Sequence, residues 1–144
     1  MARRFTVTFD AHDPARLAAF WATALDYVLQ PPPRGFDTWD AFADAMGIPE
    51  DDRDRLAAVV DPAGDGPRLL FIKVPEDKTS KNRVHLDVQS GSKPGMDRDE
   101  HLALVGDHVE RLLAEGATEL GSHEEWGARW TVMQDPEGNE FCIV

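Results

Sequence analysis

The chain has 144 residues, 42% of them hydrophobic, which fits one globular domain that buries about two thirds of its unfolded surface. This composition argues against a disordered chain and against two independent domains. The formal net charge of −12 opposes binding to nucleic acid or to an anionic membrane, since both attract Lys and Arg. The same charge favours a neutral or cationic ligand over a polyanion.

Cysteine usage and hydrophobic runs indicate the compartment. The single cysteine, Cys142, cannot form an intramolecular disulfide. The opening MARRFTVTFD lacks the apolar run of a signal peptide. No other stretch approaches the roughly 20 apolar residues of a transmembrane helix. We therefore expect a soluble cytoplasmic protein with no membrane partner.

The first elements in chain order are a strand and a helix. Apolar and polar residues alternate over 4–10, which predicts a half-buried strand. Asp13 as N-cap and Pro14 at the first helical position predict the helix that follows. The next segment, about 31–55, begins with three prolines and contains a small helix that ends at Gly47, so we interpret it as an insertion or lid.

Strands and one further helix make up the rest of the predicted elements. A hairpin with strands at 57–60 and 68–74, joined by the turn Asp61-Pro62-Ala63-Gly64, closes the first half. The second half is predicted to contain, in order, a strand at 83–88, a helix at about 99–115, strands near 118–121 and 129–134, the turn Asp135-Pro136-Glu137-Gly138 and a last strand with Phe141 and Ile143.

The order strand, helix and about three strands therefore occurs twice, and in both halves an Asp-Pro-x-Gly turn leads into the final strand. We interpret this as an internal repeat within one domain that spans residues 1–144. Repeat one covers about 4–75, with the insertion inside it, and repeat two covers about 82–144. The two halves should face a shared cavity with the mixed polar sides of their strands.

Three segments, DPARLAAFW, KNRVHLDV and DPEGNEFCIV, resemble the vicinal oxygen chelate superfamily, which includes glyoxalase I, extradiol dioxygenases and bleomycin-resistance proteins. The resemblance covers residues 4–144, and DPEGNEFCIV is its most specific part. It implies an α+β fold in which two βαβββ repeats pair into a curved mixed sheet that encloses a cavity. It also implies a homodimer.

The resemblance further implies a divalent metal, which metal-dependent members bind with His and Glu from the first, fourth, fifth and eighth strands. Aligned to those positions are Thr6, Phe71, His85 and Cys142, and only His85 matches the family's ligand types. We therefore expect no metal cofactor, because one His and one Cys fall short of the three protein ligands usual in catalytic sites. An alternative set of His85, Glu140 and one aspartate stays open, although Glu140 lies about 6–7 Å along the strand from Cys142.

The cavity is expected to bind a small organic molecule that is neutral or cationic, with a role in sequestration or resistance. The predicted apolar wall consists of Trp39, Phe71 and Trp130. The predicted polar contacts are Thr6, Thr8, Asp10, Lys73, His85, Asp87, Glu140 and Cys142.

An enzyme is the competing hypothesis: either a metal-dependent lyase, isomerase or dioxygenase, or a metal-free catalyst. In the metal-free form His85 is the base and Glu140 the acid, since histidine exchanges protons readily at neutral pH. A purely structural interaction module is a third alternative. It accounts less well for charges on the mixed strand faces, which need water or a partner.

Overall fold

The computed structural model describes all 144 residues, and the chain forms two compact units. Unit one comprises Met1–Ala22 and Asp26–Glu76, and unit two comprises Thr23–Leu25 and Asp77–Val144. The elements of the first half are β1 (Thr6–Ala11), α1 (Pro14–Leu25), β2 (Val28–Leu29), α2 (Trp39–Met46), a 3₁₀ turn (Glu50–Asp52), β3 (Leu56–Val60) and β4 (Arg68–Lys73). Those of the second half are β5 (Asp87–Val88), α3 (Arg98–Ala114), β6 (Thr118–Glu125), β7 (Ala128–Gln134) and β8 (Glu140–Ile143).

The sheet of unit one has the strand order β1-β4-β3-β2, with β1 parallel to β4 and the other pairs antiparallel. The apolar face of this sheet forms part of the core of the unit. The ring of Phe9 lies 5.2 Å from the rings of both Trp21 and Phe71, and the latter two side chains are fully buried. The alternation predicted for strand β1 therefore places Phe9 on the face that packs against α1.

Helix α1 begins and packs as the sequence predicts. The Asp13 carboxylate accepts the Arg16 N–H at 3.1 Å, and Pro14 occupies the first turn. The buried stripe contains Leu17 and Phe20 beside Trp21. The core of unit one is therefore a helix packed on one face of a mixed sheet.

The segment interpreted as an insertion contains a helix and a 3₁₀ turn, which lie between β2 and β3. Helix α2 is capped by the Thr38 hydroxyl, which accepts the Ala41 N–H at 3.0 Å, and it ends at Gly47 with a φ of 67°. The Arg53 guanidinium donates to Asp44 at 2.6 Å, and so ties the turn back to the helix. This segment is thus held by its own contacts.

The sheet of unit two repeats the topology of unit one, with the order β5-β8-β7-β6 and with β5 parallel to β8. Helix α3 buries Val105, Val109 and Leu112. The predicted α+β class and the twofold use of one strand order are therefore confirmed, as two four-stranded mixed sheets. None of the α-helices combines the length and the apolar character needed to cross a membrane.

The two Asp-Pro-x-Gly turns have the same construction. The Asp61 carboxylate accepts the Ala63 N–H at 2.8 Å, and the Asp135 carboxylate accepts the Glu137 N–H at 2.9 Å. In each turn the glycine has a positive φ, 78° at Gly64 and 84° at Gly138. The backbone N–H donors of Gly66 and Ala63 are the main reason that the pKa of Asp61 lies below its usual value.

Three predictions about unit two need correction. The strand predicted over 83–88 is confined to β5. Alternation over 83–88 predicts that Val84 lies on the apolar face with Leu86 and Val88, but its side chain is 79% exposed. Helical spacing predicts Leu113 on the buried stripe of α3 with Val109 and Leu112, but its side chain is 40% exposed. Strand β6 extends beyond the short strand predicted near 118–121, because Trp126 and Gly127, both with positive φ, form a two-residue turn that continues the pairing.

Candidate functional site

Unit two contains a cavity of about 770 Å³. Its wall comes from four places: the residues around β5, the first turns of α3, the β6–β7 hairpin and the end of β8. Residues of particular interest on this wall are His85, Asp87, Arg98, His101, Glu124, Arg129, Trp130 and Cys142.

Strand pairing brings three of these residues together. In the parallel β5–β8 pair, Asp87 is the register partner of Cys142, so their side chains share one face of the sheet. The next partners, Val88 and Ile143, are buried on the opposite face. The Cys142 N–H donates to the Leu86 carbonyl at 2.9 Å, which continues the pairing up to the residue after His85.

The resulting donor cluster consists of His85, Asp87 and Cys142. The nearest side-chain donor atoms of these residues lie within 4.8 Å of one another. Nδ1 of His85 is 3.2 Å from Oδ1 of Asp87, and both side chains are about half exposed. Cys142 is buried. The cluster differs from the set with Glu140 that the sequence left open.

The thiol of Cys142 is held in its protonated form. Burial raises its pKa, the negative charge of Asp87 raises it further, and so does the hydrogen bond to the Asp87 carboxylate, while Lys81 has the opposite influence. A thiol with a raised pKa supplies little thiolate at neutral pH. The arrangement therefore does not favour Cys142 as a free nucleophile.

Glu140 lies on the same strand but is engaged elsewhere. Its Oε2 atom accepts the Asn82 N–H at 3.0 Å and the Lys78 ammonium at 3.1 Å. Burial alone would raise the pKa of Glu140, but the Asn82 N–H and Lys78 outweigh it, and the net pKa is lowered. A general acid must hold a proton near neutral pH, so these contacts oppose the acid role predicted for Glu140.

The other predicted site residues lie in unit one. Thr6, Thr8 and Asp10 are exposed on the face of β1 opposite Phe9. Lys73 pairs with Asp54. Trp39 is 46% exposed and donates from Nε1 to the Gln30 carbonyl at 2.8 Å.

The prediction for Phe71 needs correction. Its side chain is fully buried, and its register partner is Phe9, so it points into the core of unit one. In unit one β1 pairs Thr8 with Leu70, and in unit two β5 pairs Asp87 with Cys142. If Thr6 is matched to His85, then Thr8 is matched to Asp87. The strand partner of Thr8, Leu70, is therefore the residue that corresponds to Cys142. The run Leu69–Ile72 is apolar throughout. It therefore lacks the alternation that would have shown which of its side chains face the core.

Four charged or ionisable cavity residues were not predicted from the sequence. Both oxygens of Glu124 accept from Nη2 of Arg98, at 2.8 and 2.9 Å. Nδ1 of His101 is buried without a hydrogen-bond partner. Arg129 is the fourth of these residues. The spacing of Arg98 and His101, three residues apart near the start of a helix, was a signal that both occupy one helix face.

The donor cluster suits one class of metal. Imidazole nitrogen, carboxylate oxygen and thiolate sulfur are all zinc ligands, and three protein ligands with one open position are usual in catalytic zinc sites. Manganese favours oxygen ligands and is less well matched to a thiolate. His85, Asp87 and Cys142 thus fit a zinc ion, whose binding would release the proton of the Cys142 thiol.

Comparisons with solved structures support the fold. A glyoxalase/bleomycin resistance protein/dioxygenase family enzyme from Burkholderia phytofirmans is 17% identical, with a TM-score of 0.61 over 96% of this chain and 94% of that one. A mutant of the fosfomycin resistance protein FosX from Listeria monocytogenes, in complex with Mn(II) and 1S,2S-dihydroxypropylphosphonic acid, is 11% identical, with a TM-score of 0.63 over 99% and 89%. TioX from Micromonospora sp. ML1 is 17% identical, with a TM-score of 0.53 over 99% and 97%.

The sequence itself carries the family assignment. No protein with curated annotation matches the sequence significantly. Residues 6–144 match the family profile described as a glyoxalase-like domain, which covers nearly the whole chain. The duplicated strand order and the terminal DPEGNEFCIV agree with this match. The chain therefore belongs to the glyoxalase-like domain family of the vicinal oxygen chelate superfamily.

Proposed function

We propose that this protein binds a small organic molecule in the unit-two cavity, and that its role is sequestration or resistance. The observation that carries the proposal is the cavity itself. Its volume of about 770 Å³ falls within the roughly 300–1,000 Å³ typical of small-ligand sites. The apolar side chains of Trp130 and Leu102 share its wall with several polar and charged groups, which can orient a bound molecule. The fold likeness to fosfomycin resistance proteins adds support.

The wall offers one planar contact, one ion pair and two separate charges, those of Asp87 and Arg129. Trp130 stacks on His123, with ring centroids 5.7 Å apart and an interplanar angle of 23°, so an aromatic ligand would contact an already ordered ring. Arg98 and Glu124 neutralise each other. Asp87 then remains as an acceptor for a cationic or hydroxyl group of the ligand. A neutral or cationic aromatic molecule fits this description.

Ligand binding is tested by thermal shift and calorimetry with a panel of basic aromatic antibiotics, neutral aromatics and small acids. A ligand at 100 times its Kd stabilises the folded chain by about 2.7 kcal/mol, which raises Tm by several degrees. Trp130→Ala should abolish this shift. The control Trp126→Ala should not, because Trp126 is 97% exposed at the tip of the hairpin and is not part of the cavity wall. A panel with no stabilising member would reject the proposal.

A metal-assisted enzyme is the second candidate, and the donor cluster is the observation that favours it. Zinc, when bound, would supply Lewis-acid polarisation of substrate oxygens. The residues of this chain would contribute orientation: the contact of Asp87 with Nδ1 of His85 fixes the imidazole ring. Half-exposed His85 and Asp87 leave access from the cavity.

Elemental analysis of protein purified without an affinity tag separates the two candidates. Protein incubated with Zn, Ni, Mn or Fe(II) is dialysed and its metal content measured. The enzyme candidate predicts about one Zn per chain, lost in His85→Ala and in Cys142→Ala but kept in the control His12→Ala. No retained metal under any condition would end this candidate.

The homodimer and the cytoplasmic location stay predictions. Sedimentation velocity tests the first, and fractionation of the cells that produce the protein tests the second. A monomer at all concentrations would contradict the dimer that the resemblance implies.

A further inference from the structure

We propose that Glu140 is a positioning residue, which fastens the segment before β5 to strand β8 and thereby places His85 at the cavity wall. The proposal rests on the proposed binding function only in so far as His85 contacts the ligand. The geometry on which it depends is that of the ligand-free chain. It assigns Glu140 a role different from the general acid predicted from the sequence.

The segment that carries His85 has little regular structure of its own. Strand β5 has two residues, and His85 lies before it. Apolar packing does not hold the segment either, since the side chain of Val84 is 79% exposed. The position of His85 therefore depends on a small number of polar contacts.

Two contacts from β8 fasten the segment on either side of His85. The Glu140 carboxylate accepts the Asn82 N–H at 3.0 Å, three residues before His85. The Cys142 N–H donates to the Leu86 carbonyl at 2.9 Å, one residue after it. One of these contacts comes from a side chain, and it is the one that a substitution can remove without changing the backbone pairing of β8.

Charge and burial make the Glu140 contact a strong one. The Glu140 side chain is only 14% exposed, and Lys78 supplies a compensating charge at 3.1 Å. Lys78 also donates to the Ser80 carbonyl at 2.5 Å, so the chain from 78 to 82 folds toward the carboxylate. A charge-assisted hydrogen bond is stronger than a neutral one, and its removal would leave the Asn82 N–H without its acceptor.

NMR on the ligand-free protein at fixed pH tests the proposal. In Glu140→Ala, the Asn82 amide should exchange with solvent about tenfold faster or more, and the His85 ring resonances should shift. In Glu140→Gln, which retains an oxygen acceptor, the His85 resonances should stay close to those of the unmodified chain. Lys78→Met, which keeps the carboxylate, should also leave His85 in place. Glu119→Ala, an exposed acid on β6, is the matched control.

Three outcomes would overturn the proposal. The first is unchanged Asn82 exchange and unchanged His85 resonances in Glu140→Ala. The second is an equal acceleration at the Leu112 amide of α3, which would show general destabilisation. The third is a Glu140→Gln variant as perturbed as Glu140→Ala, since the acceptor would then not be what matters. Because no ligand is added, these outcomes are independent of whether the cavity binds a small molecule.

Discussion

Replacement of Phe71 by alanine distinguishes the core position seen in the structure from the ligand-wall position predicted from the sequence. The Phe71 ring is fully buried and lies 5.2 Å from the Phe9 ring. Truncation of a buried Phe costs about 3–5 kcal/mol, and a domain of this size loses roughly 2–4 °C in Tm for each kcal/mol. We therefore expect Phe71→Ala to lower Tm by roughly 6–20 °C.

Urea unfolding followed by tryptophan fluorescence measures the change in the free energy of unfolding, because Trp21 is buried beside Phe9 in the same core. Phe5→Ala is the matched control. Its ring is 67% exposed, so we expect a change of about 0.5 kcal/mol or less. If Phe71→Ala cost no more than this control and instead weakened ligand binding, the core assignment would be refuted.

Three further predictions concern single sites. Gly66→Ala should destabilise the chain by about 1–3 kcal/mol in thermal melts, because a Cβ there would overlap the Tyr27 hydroxyl; an unchanged Tm would contradict this. Burial and Asp87 raise the pKa of Cys142. Iodoacetamide at pH 8 should therefore react with the folded chain about tenfold more slowly than with the chain in urea. Equal rates would contradict a buried thiol with a raised pKa. The lowered pKa of Glu140 means that its contribution to stability is present above pH 4.5 and is lost as the pH falls below that value. Glu140→Gln should accordingly flatten the acid limb of stability against pH, and an unchanged limb in urea titrations would count against it.

Local signals in the sequence predicted most elements correctly. Asp13 followed by Pro14 is both an N-cap signal and a first-turn signal, and α1 begins there. The glycines that end α2 and complete the Asp-Pro-x-Gly turns all have the positive φ that such positions require. Where a segment carries its own capping or turn chemistry, its structure depends little on the rest of the chain.

Longer-range arrangements were harder to predict. The alternation around His85 suggested a six-residue strand. Strand β5 is shorter because only Asp87 and Val88 have register partners in β8. Phe71 was assigned to the wrong face because an all-apolar run does not distinguish the two sides of a strand. The donor cluster joins residues far apart in the sequence, and it follows from the register of β5 against β8, which sequence periodicity does not reveal.

The shared strand order also has a consequence for synthesis on the ribosome. In each sheet the strand made last lies inside and pairs with the strand made first, Arg68–Lys73 with Thr6–Ala11 in unit one and Glu140–Ile143 with Asp87–Val88 in unit two. A nascent chain must therefore keep its earliest strand unpaired until the final one has emerged from the exit tunnel. Until then the edge of that strand presents unpaired N–H and C=O groups, which is the condition under which strands pair wrongly or aggregate.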